Sequence, residues 1–178
     1  MLAAEAKNSS AAFAELYRRY QHKIYGYLLV RVGNVQDAQD LTAQTFLAAL
    51  ESIASYQGRG TFAAWLFGIS RRKVAAYFQR RQETLPLEMV NHLPDPGLAV
   101  EEVIGQQMEL EQVIKMVSAL SPDRAEALSL RIFARLSTAE VAEVMGKSEA
   151  AVRMLLYRAV GNLRQWLAHH RRQSDESK

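Results

Sequence analysis

The stretch from Ser137 to Ser148 constrains the fold of this chain more than any other. Ser137-Thr138-Ala139-Glu140 is a capping box, in which the cap serine and the glutamate three residues on each bond the other's backbone N–H, so a helix starts here. Gly146-Lys147-Ser148 stops that helix after eight or nine residues, because glycine accepts left-handed dihedrals, and Ser148 caps a longer basic helix running to about His169. A short helix, a tight glycine turn and a longer helix make a helix-turn-helix. Ala142 is small enough for the two helices to approach, and Val141, Met145, Val152 and Leu155 fill their shared core. Glu149, Ala150, Arg153, Met154, Tyr157 and Arg158 then face outward, where a DNA major groove would meet them.

The rest of the chain reads as helix too. Phe13, Leu16, Tyr17, Tyr20, Ile24, Tyr27 and Leu28 recur at three- and four-residue steps from Ala11 to Val32, and Gly33-Asn34 ends that run. A second helix, from about Val35 to Ser55, places Leu41, Thr45, Ala49 and Ile53 on a buried stripe with Phe46 and Leu50 beside it, and Asp37, Asp40, Gln44, Leu47 and Glu51 on the opposite face. Two glycines in Gln57-Gly58-Arg59-Gly60 break the chain, and Thr61 caps a third helix from Phe62 to about Gln82. Pro86, Pro94 and Pro96 interrupt any helix beyond it. Periodicity resumes near Val103, and Ser121-Pro122-Asp123 opens a helix predicted to end near Arg135. The expected fold is all-α, with two small helical domains, 1–84 and 109–170, an acidic linker over 85–108 and a disordered tail over 171–178.

Charge follows the same division. Residues 1–82 carry 11 basic and 5 acidic side chains, 83–123 carry 1 and 8, and 124–178 carry 10 and 6. Two basic blocks flanking an acidic middle point to polyanion binding at both ends, which the net charge of +3 would conceal. The absence of cysteine excludes disulfides, thiol catalysis and Cys-ligated metal, and a reducing cytoplasm fits. No apolar run is long enough to span a membrane and the N-terminus lacks a signal-peptide pattern, so the expectation is a soluble, cytoplasmic chain without membrane insertion. His22, His92, His169 and His170 show neither metal nor nucleophile spacing. Gly146-Lys147-Ser148 imitates the end of a P-loop, but Val141 stands where its first glycine belongs and no strand precedes it. No intrinsic catalysis, metal or cofactor is expected.

Between Arg59 and Arg81 lie six basic residues, no acid, and the aromatics Phe62, Trp65, Phe67, Tyr77 and Phe78. Unpaired DNA needs that mixture, cations for phosphates and aromatic faces for unstacked bases. Phe62, Leu66 and Ile69 share a stripe and read as core, whereas Trp65, Arg71, Arg72 and Lys73 read as contacts, with the loop Tyr56–Thr61 as a base pocket. Leu47, exposed among polar neighbours, suggests a protein partner for the second helix.

Three segments together, Phe13-Ala14-Glu15-Leu16-Tyr17 through Tyr20, Asp37 through Phe46 and Phe62 through Arg71, resemble region two of the extracytoplasmic-function sigma factors of bacterial RNA polymerase. Leu120-Ser121-Pro122 through Arg164 resembles region four of the same family. The resemblance implies that Asp37, Asp40, Gln44, Leu47 and Glu51 dock on the clamp helices of the core polymerase. It implies that Tyr56, Arg59, Trp65, Arg71, Arg72, Lys73, Ala76 and Arg80 open and read the minus-ten element. Lys147, Ser148, Glu149, Ala150, Arg153, Met154, Tyr157 and Arg158 would read the minus-thirty-five element. It further implies control by an anti-sigma factor. The chain departs from the family at Ala43-Gln44, Arg72, Ala76 and Met154-Leu155, where Gln-Glu, Asn, Asp and Ser-Arg are frequent. The alternatives are a helix-turn-helix transcription regulator whose first domain senses a ligand or dimerises, and an adaptor with a degenerate helix-turn-helix.

Overall fold

The computed structural model describes residues 2–84 and 110–176, with side chains over 2–81 and 110–165. Its helices are α1 (Leu2–Glu5), α2 (Ser10–Val32), α3 (Val35–Ser52), α4 (Phe62–Thr84), α5 (110–118), α6 (Pro122–Ile132), α7 (Thr138–Met145) and α8 (Glu149–Glu176), with a 3-10 turn over Ile53–Ser55. Among the described residues all regular structure is helical. The proline-bearing linker and the start of the periodicity expected near Val103 lie outside the described residues.

Local chemistry sets the helix ends. The Ser9 side chain accepts from the Ala12 N–H at 3.2 Å at the start of α2. Gly33 closes it at φ 71°, where its N–H reaches the Leu29 carbonyl, and Asn34 at once caps α3 by accepting from the Asp37 N–H at 2.9 Å. Two residues thus reverse the chain between α2 and α3. The second helix ends earlier than its periodicity predicts, tightening into the 3-10 turn. α6 also stops early, at Ile132, because Arg135 adopts a left-handed φ of 57° and the Leu136 N–H bonds back to the Leu130 carbonyl, six residues closing on one. Ser121 sits at the start of α6 with Pro122 behind it, but its side chain makes no capping bond. α8 continues to Glu176, past the predicted stop near His169, because no Gly or Pro follows Gly161 to break it.

Leu16, Ile24, Tyr27 and Leu28 of α2, Leu41, Thr45 and Ala49 of α3, and Leu66 and Ile69 of α4 are buried as the periodicity requires, whereas Phe62 of the same α4 stripe is half-buried and Phe67, counted among the aromatics of the basic segment, is fully buried. Tyr17 and Leu50, read as core, are 40% and 50% exposed. Each lies at the margin of its stripe, and Tyr17 packs its ring on Phe46 at 4.6 Å between centroids. In the second half Val141, Ala142, Met145 and Val152 are buried with Leu155 half-buried, so the helix-turn-helix closes on the residues expected.

The two units do not keep separate cores. One apolar cluster runs from Ile24, Tyr27 and Leu28 through Leu66 and Phe67 to Leu130, Val141 and Met145, joining α2, α3 and α4 to α6 and α7. Tyr27 and Phe67 meet edge to face at its centre, 5.6 Å between centroids. Truncating Phe67 to Ala should cost about 3–5 kcal/mol of unfolding free energy in urea, whereas Asn34→Ala, which removes one cap, should cost about 1 kcal/mol; a smaller loss for F67A would place it outside the cooperative core.

Candidate nucleic-acid interface

The α3 stripe survives folding. Asp37, Asp40, Gln44, Leu47 and Glu51 step by three and four residues along one face, all exposed except half-buried Asp37, with Leu47 57% exposed. Asp37 accepts from the Tyr77 hydroxyl at 2.7 Å, and Arg81 donates to the same phenolic oxygen at 2.6 Å. Partial burial and then the Asp37 bond push the Tyr77 phenol above its ordinary value. Asn34, Asp37, Asp40, Leu41 and Gln44 form one wall of an open groove, and Tyr77, Arg80 and Arg81 form the other. Arg80, assigned from sequence to DNA, therefore lies across a groove from the residues assigned to a protein partner. Tyr77 and Arg81 were read from sequence only as members of the basic-aromatic segment and not as neighbours of the α3 stripe, because the 40-residue separation of Tyr77 from Asp37 leaves no periodic trace.

The basic-aromatic segment divides. Tyr56 is buried and stacks on Phe62 and Trp65 at 5.7 and 5.1 Å, so the aromatic members build the wall behind the Tyr56–Thr61 loop. The Tyr56 hydroxyl donates to the Gly60 carbonyl across this loop at 3.3 Å, and Gly58 and Gly60 take φ near +70°, which L side chains rarely adopt. Arg59, Arg72 and Arg80 are exposed; Trp65, Lys73 and Ala76 are half-buried. Arg71 turns the other way, its guanidinium 3.5 Å from the Val144 carbonyl of α7.

On the helix-turn-helix, Ser148, Glu149, Ala150, Arg153, Met154, Tyr157 and Arg158 are all exposed, Tyr157 at 78%. The Ser148 hydroxyl accepts from the Ala151 N–H and so caps α8. Lys147 is half-buried and paired with Asp123 at 3.1 Å, which holds the turn against α6. The outward face carries cations, an acid paired to Arg153 at 3.8 Å, and two large apolar side chains. Cations and large apolar side chains are the groups that meet phosphates and base edges in duplex DNA.

Glu140 links the two units. Its carboxylate closes the capping box, accepting from the Ser137 N–H at 2.8 Å and from the Ser137 hydroxyl at 2.9 Å, and it also accepts from the Thr61 hydroxyl at 2.9 Å. Burial alone would raise its pKa, but the Ser137 bonds, the Thr61 bond and the Lys23 charge outweigh burial and hold the carboxyl below its usual value. Sequence reading found the capping box and not the bond to Thr61, 79 residues away. Among the described residues no cluster of His, Asp and Glu could hold a metal ion, and no helix is long and apolar enough to cross a membrane.

Comparison with known proteins places these units. Residues 16–84 match Sigma-70 region 2 and residues 110–163 match Sigma-70 region 4. The chain is 39% identical over 157 residues to the ECF RNA polymerase sigma factor BldN of Streptomyces coelicolor, covering 85% of this chain and 59% of BldN. It is 28% identical to the RNA polymerase sigma factor YlaC of Bacillus subtilis, over 82% of this chain and 86% of YlaC. Its fold is like that of CnrH, solved with the cytosolic domain of CnrY, at a TM-score of 0.76 and 24% identity over 94% of this chain and 96% of that one. It is also like RpoE of Bartonella quintana, solved with the anti-sigma factor NepR, at a TM-score of 0.69 and 20% identity over 88% and 96%.

Because the Glu140 carboxyl is held low by folding, its ionised form stabilises the native state above the ordinary carboxylate range, and that contribution fades as pH falls through the folded value. Glu140→Gln should therefore be less stable than the parent at neutral pH, with the gap closing as the buffer is acidified; a gap independent of pH in urea titrations would place the stabilisation elsewhere.

Proposed function

Since the chain belongs to the sigma-70 family, as an extracytoplasmic-function member with regions 2 and 4, we propose that it directs RNA polymerase to specific promoters and initiates transcription by recognising and opening them. The observation that carries this reading is the pairing, in family order, of a basic-aromatic α4 unit with a helix-turn-helix whose outer face is fully exposed. The stripe Asp37–Asp40–Gln44–Leu47–Glu51 docks on the core polymerase through an apolar centre in a polar rim. With Ala43-Gln44 in place of the frequent Gln-Glu, Leu47 and the groove beneath Tyr77 take a larger share of that contact.

On the DNA side, the loop Tyr56–Thr61 accepts an unstacked base of the minus-ten element against the Tyr56–Phe62–Trp65 wall. Arg59, Arg72, Lys73 and Arg80 contact the phosphates of the opened strand, and Ala76 offers no hydrogen bond to a base where the family often carries a polar side chain. In the minus-thirty-five element Arg153 and Arg158 meet backbone, while Met154 and Tyr157 contact base edges in the major groove, favouring thymine methyls. The chain contributes promoter choice and strand separation, and the polymerase performs the chemistry. It works inside the cell with polymerase, under an anti-sigma partner of the kind seen on RpoE.

The test is co-elution with bacterial core polymerase on a sizing column, followed by run-off transcription from a fragment library. Promoter-selective transcripts that require the chain are expected; duplex binding without polymerase association would favour a helix-turn-helix regulator instead. On a promoter so identified, Arg158→Ala should weaken holoenzyme binding across sequences and lower the salt-dependence slope by about 1, the signature of one lost phosphate contact. An unchanged slope would remove Arg158 from the DNA.

A further inference from the structure

The residues that match region 2 begin at Leu16, and α1 lies ahead of them. A helix of four residues cannot hold itself in water, so its order comes from what it packs on. Ala6, the residue after α1, is 5% exposed and closes a small apolar cluster with Ala12 and Leu16 of α2, Ile53 of the 3-10 turn and Tyr56. Leu2 and Ala3 pack against that cluster, as do Tyr20, Phe62 and Trp65. The Ala6 N–H donates to the Leu2 carbonyl at 2.9 Å and the Asn8 N–H to the Glu5 carbonyl at 3.1 Å, after which Ser9 caps α2. The loop beyond Tyr56 has few bonds of its own. Residues 57–60 are exposed, and among the described residues no hydrogen bond reaches Gln57, Gly58 or Arg59. What fixes the course of the loop is the seat of Tyr56: its ring is 8% exposed in the cluster, its N–H donates to the Ile53 carbonyl at 3.1 Å, and its hydroxyl donates to the Gly60 carbonyl at 3.3 Å.

We propose that α1 is a positioning element for the unpaired base: Leu2, Ala3 and Ala6 seat Ile53 and Tyr56, and the Tyr56 hydroxyl carries that seat to the Gly60 carbonyl and so to the loop that reads the base. The inference rests on the sigma-factor reading and deepens it. Phe62 and Trp65 belong to α4 and keep their place with that helix, whereas Ile53 and Tyr56 follow the end of α3, where the 3-10 turn starts without a side-chain cap. Their lateral position therefore depends on the apolar cluster. Ala6, Ala12, Leu16, Ile53 and Tyr56 form a cluster of their own, apart from the one around Tyr27, Leu66 and Phe67, so displacing α1 uncovers one side of the turn and leaves the main core closed. A pocket that tells one base from another works through fixed distances, and a shift of about 1 Å in its wall is enough to lose selectivity. α1 thus acts through Tyr56 and not by contact with DNA.

The experiment uses the full chain, alone and reconstituted with core polymerase. Ala6→Glu sets a charge into the cluster and should lift α1 off it. In the chain alone, hydrogen–deuterium exchange should quicken about tenfold over residues 53–61, while the amides of Tyr27 and Leu66 keep the parent's protection. In the holoenzyme, with non-template oligonucleotides carrying each base in turn at the unstacked minus-ten position, the parent should prefer one base by about tenfold and A6E by less than about twofold. Affinity for a minus-thirty-five duplex, which the α8 face reads, measures the active protein and should not change. Ala6→Ser, whose hydroxyl can bond the Leu2 carbonyl within the turn, should keep both parent values. A merely structural role would lower Tm and the active fraction but leave the ratio between bases where it was, and that result overturns the proposal. Unchanged exchange over 53–61 in a folded A6E overturns it too. Should A6E fail to fold, L2Q/A3E, which removes only the apolar edge of the contact, is read in the same two ways with the same decisions. A parent that ignores polymerase defeats the sigma-factor reading, whereas exchange in the chain alone still decides whether α1 seats the loop.

Discussion

A carboxylate removed from water must be met by donors, and the way Glu126 meets that requirement organises the whole arrangement. Both of its donors, the Tyr27 hydroxyl and Arg31, come from α2, one turn apart, so α6 can seat on α2 in only one way. That seat brings Ala127 and Leu130 into the first unit's core and delivers α7 to α4, so that Val141 and Met145 join the same apolar cluster as Phe67. Apolar area supplies most of the free energy of such packing, but it is tolerant of sliding. Charge and hydrogen bonding are not tolerant, and they decide where the sliding stops.

What the sequence made legible was what is local. Caps at Thr61, Ser137 and Ser148, the glycine stops at Gly33 and Gly146, and the buried stripes of α2, α3 and α4 each follow from residues within a turn or two of one another. The exposed face of α8 was likewise readable, because a helix-turn-helix leaves few ways to divide inside from outside. Glu126 was not readable. It stands among Asp123 and Arg124 at the acid-rich start of a helix, where a carboxylate ordinarily faces water, and its partner is 99 residues distant. Tyr27 was recognised as apolar core, yet nothing in a three-four spacing reveals where a hydroxyl points. The same limit hid Tyr77 and the second bond of Glu140.

The two basic ends of the chain acquire different characters once folded. In α8 the cations stand in open solvent beside large apolar side chains, a surface suited to a regular duplex. In α4 they flank an aromatic wall and a glycine-bent loop, a surface with depth as well as charge, suited to a base that has left its stack. The two basic surfaces therefore differ in shape as well as in charge, one open and convex, the other with depth.

Thr61 divides one hydroxyl between the two units. Its oxygen accepts the Ala64 N–H at the head of α4 while its proton goes to Glu140. The two roles use different ends of one hydroxyl, so departure of α7 removes the proton's acceptor and leaves the helix cap in place, with water taking the vacated bond. No backbone has to refold for the loop to come free. Parting of α7 from α4 is then a rigid-body step, on the microsecond-to-millisecond scale of domain motion rather than the slower scale of local unfolding, and α4 keeps its cap throughout.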